Sequence, residues 1–141
     1  MKKIFVVITA YNEKESIGTV LDKLKKAKYK NIIVVNDGST DKTEEIAKQR
    51  GVVVLTHIIN RNQGASLVTG NTYALQNGAD IIVHFDADDQ MEVSDIPAMI
   101  NPILSGGTDM TIGSRFLTAK SNMPLSKIII LWFGSLHLIL P

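Results

Sequence analysis

The chain has 141 residues, 45% of them hydrophobic and 21% charged, and its 15 basic and 14 acidic side chains leave a net charge of +1. This is an ordinary globular composition at the length of one domain; it excludes general disorder and gives no argument for a nucleic-acid partner held by bulk charge. There is no cysteine, so disulfides, thiolate zinc sites and cysteine nucleophiles are excluded, and any metal must be held by oxygen or histidine ligands.

Residues 3–9 read as a buried strand. The apolar run is too short for a secretory leader and no small-residue cleavage site follows, which predicts a cytoplasmic chain. Ile17, Val20, Leu21, Leu24 and Ala27 then mark one helix face at spacings of three and four. Residues 32–35 are a second strand. Asp41 with Glu44 three positions on predicts a capping-box start to a helix that ends before Gly51. A third strand is expected at 52–56, a helix at 65–76 stopped by Asn77-Gly78, a fourth strand at 81–85, a helix at 94–104 and a short fifth strand at 110–112. His84, inside the fourth strand, is expected in the core. Strand and helix alternating throughout predict an α/β fold, a mostly parallel sheet with helices on both faces.

Ligands of such sheets bind at the carboxyl edge of the strands. Polar clusters fall there three times: Thr9-Ala10-Tyr11-Asn12-Glu13, Asn36-Asp37-Gly38-Ser39 and Asp86-Ala87-Asp88-Asp89-Gln90. The last puts three carboxylates within four residues, directly after an apolar run. Like charges so crowded repel one another, and a divalent cation removes the problem: Asp86 and Asp88, with Gln90 assisting, offer hard oxygen ligands suited to Mg2+ or Mn2+. The bland alternative is a solvated turn that caps the next helix, with Asp89 as a surface charge.

Asp37 can accept hydrogen bonds from a base or ribose, while Ser39 and Asp41 read as caps; a turn plus a cap explains this stretch equally well. Gly64 stands where a helix N-terminus favours anions, and Gly70, inside the helix, marks close approach of another segment or of a ligand. Arg115, at the end of Gly113-Ser114-Arg115, suits a phosphate, against a plain surface salt bridge. The lysines 23, 25, 26, 28 and 30 form a solvated helix end or face an anionic membrane. Neither the Gly-x-Gly-x-x-Gly fingerprint nor the Gly-x-x-x-x-Gly-Lys phosphate loop is present, which removes dehydrogenase and P-loop readings.

Thr9-Ala10-Tyr11-Asn12-Glu13, Asn36-Asp37-Gly38-Ser39, Asn62-x-Gly64 with Gly70, Asp86-Ala87-Asp88-x-Gln90 and Gly113-Ser114-Arg115, in that order, resemble glycosyltransferase family 2. The branch most resembled is that of the dolichyl-phosphate mannose synthases and polyprenyl-phosphate glycosyltransferases. Ala10 stands where that family usually has Pro, and Asn36 where it has Asp. The resemblance covers residues 6–116 and implies a GT-A-type, Rossmann-like fold, a nucleotide-diphosphate sugar donor carrying UDP or GDP, Mg2+ or Mn2+, and inversion at the anomeric carbon. Carried over, Ala10, Tyr11, Glu13 and Asp37 hold the nucleoside, with Gly64 also at the donor. Asp86 and Asp88 hold the metal and diphosphate with Gln90 beside them, and Arg115 meets the lipid phosphate.

After Asp109 the chain has no Asp or Glu. Transfer to a hydroxyl needs a general base, whereas a phosphate acceptor is already ionised. That favours a polyprenyl or dolichyl phosphate acceptor met at the cytoplasmic face of a membrane. The alternatives are a relative acting on a hydroxyl with its base further downstream, as in polysaccharide synthesis, and a non-catalytic nucleotide-sugar-binding fragment. Residues 1–116 are expected to form the nucleotide-sugar-binding part. Residues 117–141 are expected to be an apolar segment that begins an acceptor- or membrane-facing region, its last fourteen residues too few for a span of about twenty. Ending in that stretch, the chain reads as the front of a longer enzyme or a truncated relative.

Overall fold

The computed structural model describes residues 2–113. The chain divides into two units, Met1–Asp109 and Met110–Pro141, and every regular element described lies in the first. In chain order these are β1 (Ile4–Ala10), α1 (Ile17–Lys26), β2 (Asn31–Asn36), α2 (Thr43–Gln49), β3 (Val53–Thr56), α3 (Asn62–Gln76), β4 (Ile81–Asp86), a 3-10 turn at Val93–Asp95 and α4 (Ile96–Leu104). The expected alternation is thus observed from β1 to α4. The fifth strand is not: residues 110–113 are in no regular element, and Met110 and Ile112 are exposed. Met110-Thr111-Ile112 has only two apolar residues, short of the four to eight that make a strand signal.

All four strands are parallel, in the order β3-β2-β1-β4. Their alternating side chains build two cores. Val6, Ile8, Ala10, Ile32 and Val34 face one way, against Ile17, Val20, Leu21 and Leu24 of α1, Ala47 of α2 and Ile96 and Ile100 of α4. Phe5, Val7, Ile33 and Val35 face the other way, against Ala74 of α3. Helices therefore cover both faces, and β1 and β2, being central, are apolar on both sides as parallel strands require.

Packing decides these elements more than capping does. The N-cap of α1, Ser16, makes no capping hydrogen bond, an omission worth about 1 kcal/mol. Four fully buried aliphatic side chains on one stripe of α1 contribute about 1.5–3 kcal/mol each and outweigh it. The capping box of α2 is half realised. Asp41 accepts from the Thr43 amide at 2.9 Å, but Glu44 is drawn instead to Lys48 at 2.5 Å and to the Asn36 side-chain amide at 3.0 Å.

Gly70 lets α3 lie against the sheet: a Cβ there would overlap a Val7 methyl and come within 3.1 Å of Val35. His84 is not a core residue. The sheet order leaves β4 at the edge, so the ring, level with Val7 on the α3 side, is exposed and meets Asn71 at 2.8 Å.

Candidate functional site

The chain runs outward from β1 through β2 to β3 and then returns to place β4 on the other side of β1. Between β1 and β4 the connections diverge to opposite directions, and this switch point opens a crevice at the carboxyl edge. A recess of about 250 Å³ lies there, lined by Thr9, Glu13, Gln63, Asp86, Ala87 and Asp88. Its polar residues come from the end of β1, the loop after it, the first turn of α3 and the end of β4. It is smaller than the roughly 300–1,000 Å³ of a whole-ligand pocket.

Asp86 is half-buried and Asp88 exposed. Gln63 Nε2 lies 3.4 Å from Asp86 Oδ1, and the Gln90 amide donates to Asp88 Oδ1 at 3.0 Å. Asp89, in the left-handed region at φ 61°, turns away to an ion pair with Lys23 at 2.7 Å. The third acid of the cluster is thereby neutralised by α1. Asp89 in turn raises the Lys23 pKa through its hydrogen bond and charge. Among the described residues no three His, Asp or Glu side chains converge as a metal cage. The recess carries the carboxylates of Glu13, Asp86 and Asp88, hard oxygen donors of the kind Mg2+ and Mn2+ take, although these ions usually retain waters as well. Gln90 is exposed and not part of the lining.

Asp37 sits at the end of β2, buried. Its Oδ1 accepts from the Arg61 amide at 2.9 Å and lies 2.7 Å from His57 Nδ1. Burial pushes the Asp37 carboxyl up, but the Arg61 amide and the His57 ring together hold it below its ordinary value. The fully buried Ser66 hydroxyl has no hydrogen-bond partner among the described residues. Gly38 follows at φ +72°, and a Cβ there would lie 2.7 Å from the Ile59 backbone carbon. The glycine thus lets the 57–61 loop close over Asp37.

The loop after β1 is tied to the loop after β2. Asn12 N donates to Ser39 Oγ at 3.0 Å, Thr40 N to Asn12 Oδ1 at 2.9 Å, Glu13 N to Thr43 Oγ1 at 2.7 Å and Lys14 N to Asp41 Oδ2 at 3.2 Å. Ser39, read as a cap, serves as one of these ties, whereas Asp41 both caps the Thr43 amide and takes the Lys14 amide. Ala10 is buried and accepts the Asp37 amide at 2.9 Å. Tyr11 is exposed. Glu13 stands in the acidic recess, its carboxylate taking the Ser16 hydroxyl at 2.7 Å. Gly64, in the first turn of α3, has open space where a Cβ would be. Arg115 and the 116/117 boundary lie outside the described residues, as does the segment 117–141. Sequence reading missed two residues at this edge, Gln63 and His57. His57 directly follows β3, and its place after a strand was the available signal.

The parallel α/β sheet with helices on both faces is shared with solved glycosyltransferases of the GT-A type. The chain belongs to glycosyl transferase family 2, which it matches over residues 5–134. It is 50% identical over 127 residues to an uncharacterized protein of Methanocaldococcus jannaschii, covering 89% of this chain and 52% of that one. Over 145 residues it is 38% identical to the UDP-N-acetylglucosamine–dolichyl-phosphate N-acetylglucosaminyltransferase of Methanococcus voltae, covering 89% and 58%. The chain thus spans little more than half the length of these relatives. Among solved structures it resembles glucosyl-3-phosphoglycerate synthase of Mycobacterium tuberculosis in complex with Mn2+, UDP-glucose and phosphoglyceric acid. The TM-score is 0.62 at 27% identity, over 74% of this chain and 40% of that one.

Proposed function

We propose that this chain is the donor-binding part of an inverting, metal-assisted glycosyltransferase that moves a sugar from a nucleotide-diphosphate sugar to a polyprenyl or dolichyl phosphate. The observation that carries the reading is the recess at the β1/β4 switch point, which Asp86 and Asp88 both line, in a chain of family 2. The dolichyl-phosphate acceptor named for the Methanococcus relative supports the lipid phosphate. The Mn2+ and UDP-glucose of the Mycobacterium structure support the metal and a UDP-type donor.

In this reading Asp86 and Asp88 would hold a divalent cation at the donor. Bound there, Mg2+ or Mn2+ would supply Lewis-acid stabilisation to the leaving nucleoside diphosphate. Gln63, within reach of Asp86, orients that carboxylate and offers an amide to the diphosphate. Asp37, with Ala10 and Tyr11 beside it on the neighbouring strand end, receives the nucleoside, and Gly64 leaves the start of α3 open to close approach. Arg115 meets the acceptor phosphate, which arrives already ionised and needs no base. Acceptors of this kind place the reaction at a membrane surface; among the described residues no helix is long and apolar enough to cross one.

Transfer of labelled sugar from UDP- and GDP-sugars to a polyprenyl phosphate in detergent tests the proposal. Metal-dependent product with one donor is the expected result. Label found only in free sugar, or on a hydroxyl acceptor and never on the lipid phosphate, would overturn the acceptor assignment.

A further inference from the structure

His57 plays no part in the reading above, yet it is one of the best-anchored side chains at the carboxyl edge. Its backbone amide donates to the Asn36 carbonyl at 2.9 Å. Its Nδ1 lies 2.7 Å from Asp37 Oδ1 and its Nε2 lies 2.9 Å from Thr69 Oγ1. The Thr69 hydroxyl also reaches the Ala65 carbonyl, one turn back on α3, at 3.0 Å. The ring therefore joins the end of β2, the end of β3 and the first turns of α3. Both partners of the close pair are buried, the His57 side chain 9% exposed and that of Asp37 5%.

An ionised carboxylate can only accept, so the bond to Asp37 requires the proton on His57 Nδ1. Thr69 has one hydroxyl proton: it accepts from a protonated Nε2 while it donates to the Ala65 carbonyl, or gives up that bond to donate to a bare Nε2. The ring is thus held in one tautomer by the partner on its other side. A carboxylate buried as Asp37 is stable only when donors compensate its lost hydration. It has two on the same oxygen, the Arg61 amide and the His57 ring. Gly38, next in sequence, has no side chain to help.

We propose that His57 is the positioning residue of the donor site: its Nδ1–H aims the Asp37 carboxylate at the nucleoside. This rests on the reading of Asp37 as the nucleoside-holding residue. The competing role is a plain strut between β3 and α3, made through Nε2 and Thr69. The two roles use opposite edges of the ring, so two substitutions separate them. In His57→Asn the side-chain amide falls near the position of Nδ1 and can still donate to Asp37. In His57→Gln it falls near Nε2 and keeps the Thr69 contact alone.

The test is calorimetric titration of the full chain with UDP and with GDP in the presence of Mn2+, alongside thermal unfolding of each variant. Positioning predicts that His57→Asn binds within about threefold of the unsubstituted chain while His57→Gln loses about tenfold or more, although the two unfold at similar temperatures. Undiminished binding by His57→Gln, or losses in both variants that merely follow their unfolding temperatures, would overturn the positioning role and leave the donor reading intact. A chain that binds neither nucleotide before substitution removes the donor reading, and this proposal with it.

If the variants do not fold, 15N spectra of the unsubstituted protein at alkaline pH decide. A neutral ring protonated at Nδ1, with its shift moved by nucleotide, supports the clamp. A ring protonated at Nε2 contradicts it.

Discussion

Gly70 of α3 and Val7 of β1 touch so closely that no side chain fits between them: a Cβ on the glycine would overlap a Val7 methyl. The contact brings α3 down onto the central strand, and so places the first turn of that helix, with Gln63, over the end of β4.

Gly70→Ala is therefore expected to destabilise the fold. Overpacking of this kind costs about 1–3 kcal/mol, and relief of glycine's poor helix propensity returns about 1 kcal/mol at most. Urea denaturation should show a lower midpoint at unchanged slope.

Gly64 provides the contrast, because a Cβ there meets nothing. Gly64→Ala should leave stability unchanged or raise it by up to about 1 kcal/mol. If the open space receives the donor, the same variant weakens nucleotide binding. Denaturation and calorimetry on one preparation separate the two effects.

The pH dependence of stability follows from Asp37. Its folded-state pKa lies below the ordinary value, so the folded chain binds fewer protons than the unfolded one as pH falls through the carboxylate range. Its stabilisation is present above the unfolded value of about 3.9 and is lost as pH drops through the lower folded value. The carboxyls of Asp41, Glu44 and Asp80 are shifted the same way and add acid sensitivity of the same sign. Asp37→Asn should be less stable than the parent at pH 7, and the difference should shrink below about pH 4. Denaturation at a series of pH values checks this; a constant or growing gap would contradict it.

Asp88 is exposed and, among the described residues, its carboxylate is bonded within its own loop, to the Gln90 backbone amide. Asp88→Ala should accordingly leave the unfolding temperature within a few degrees of the parent, the usual outcome for surface changes of about 0.5 kcal/mol or less. Donor binding in Mn2+ should fall about tenfold or more, to the level found with chelator, if the carboxylate holds the cation. Unaltered metal-dependent affinity in this variant would sink the metal assignment.

Much of this was legible in the sequence because the signals were local. Apolar runs of three to five residues marked the first four strands, and the stripe of Ile17, Val20, Leu21 and Leu24 marked α1. The polar clusters after β1, β2 and β4 fell at the carboxyl edge, as parallel strands require. What stayed hidden depends on pairing across the chain. The sheet order leaves β4 at the edge and so exposes His84, which its apolar neighbours suggested was buried. Glu44, spaced for a capping box, found stronger partners in Lys48 and Asn36. His57 and Asp37 are twenty residues apart, and nothing in either stretch announces that they meet. The recess likewise takes Gln63 from a helix that follows a different strand from Asp86.

Calorimetry of UDP- and GDP-sugars against this chain, first in Mn2+ and then in chelator, tests for a metal-assisted donor site at the β1/β4 switch point. Binding of one of the two is expected, weakening about tenfold or more when the metal is withdrawn. Binding of neither donor, or binding that ignores the chelator, would contradict it.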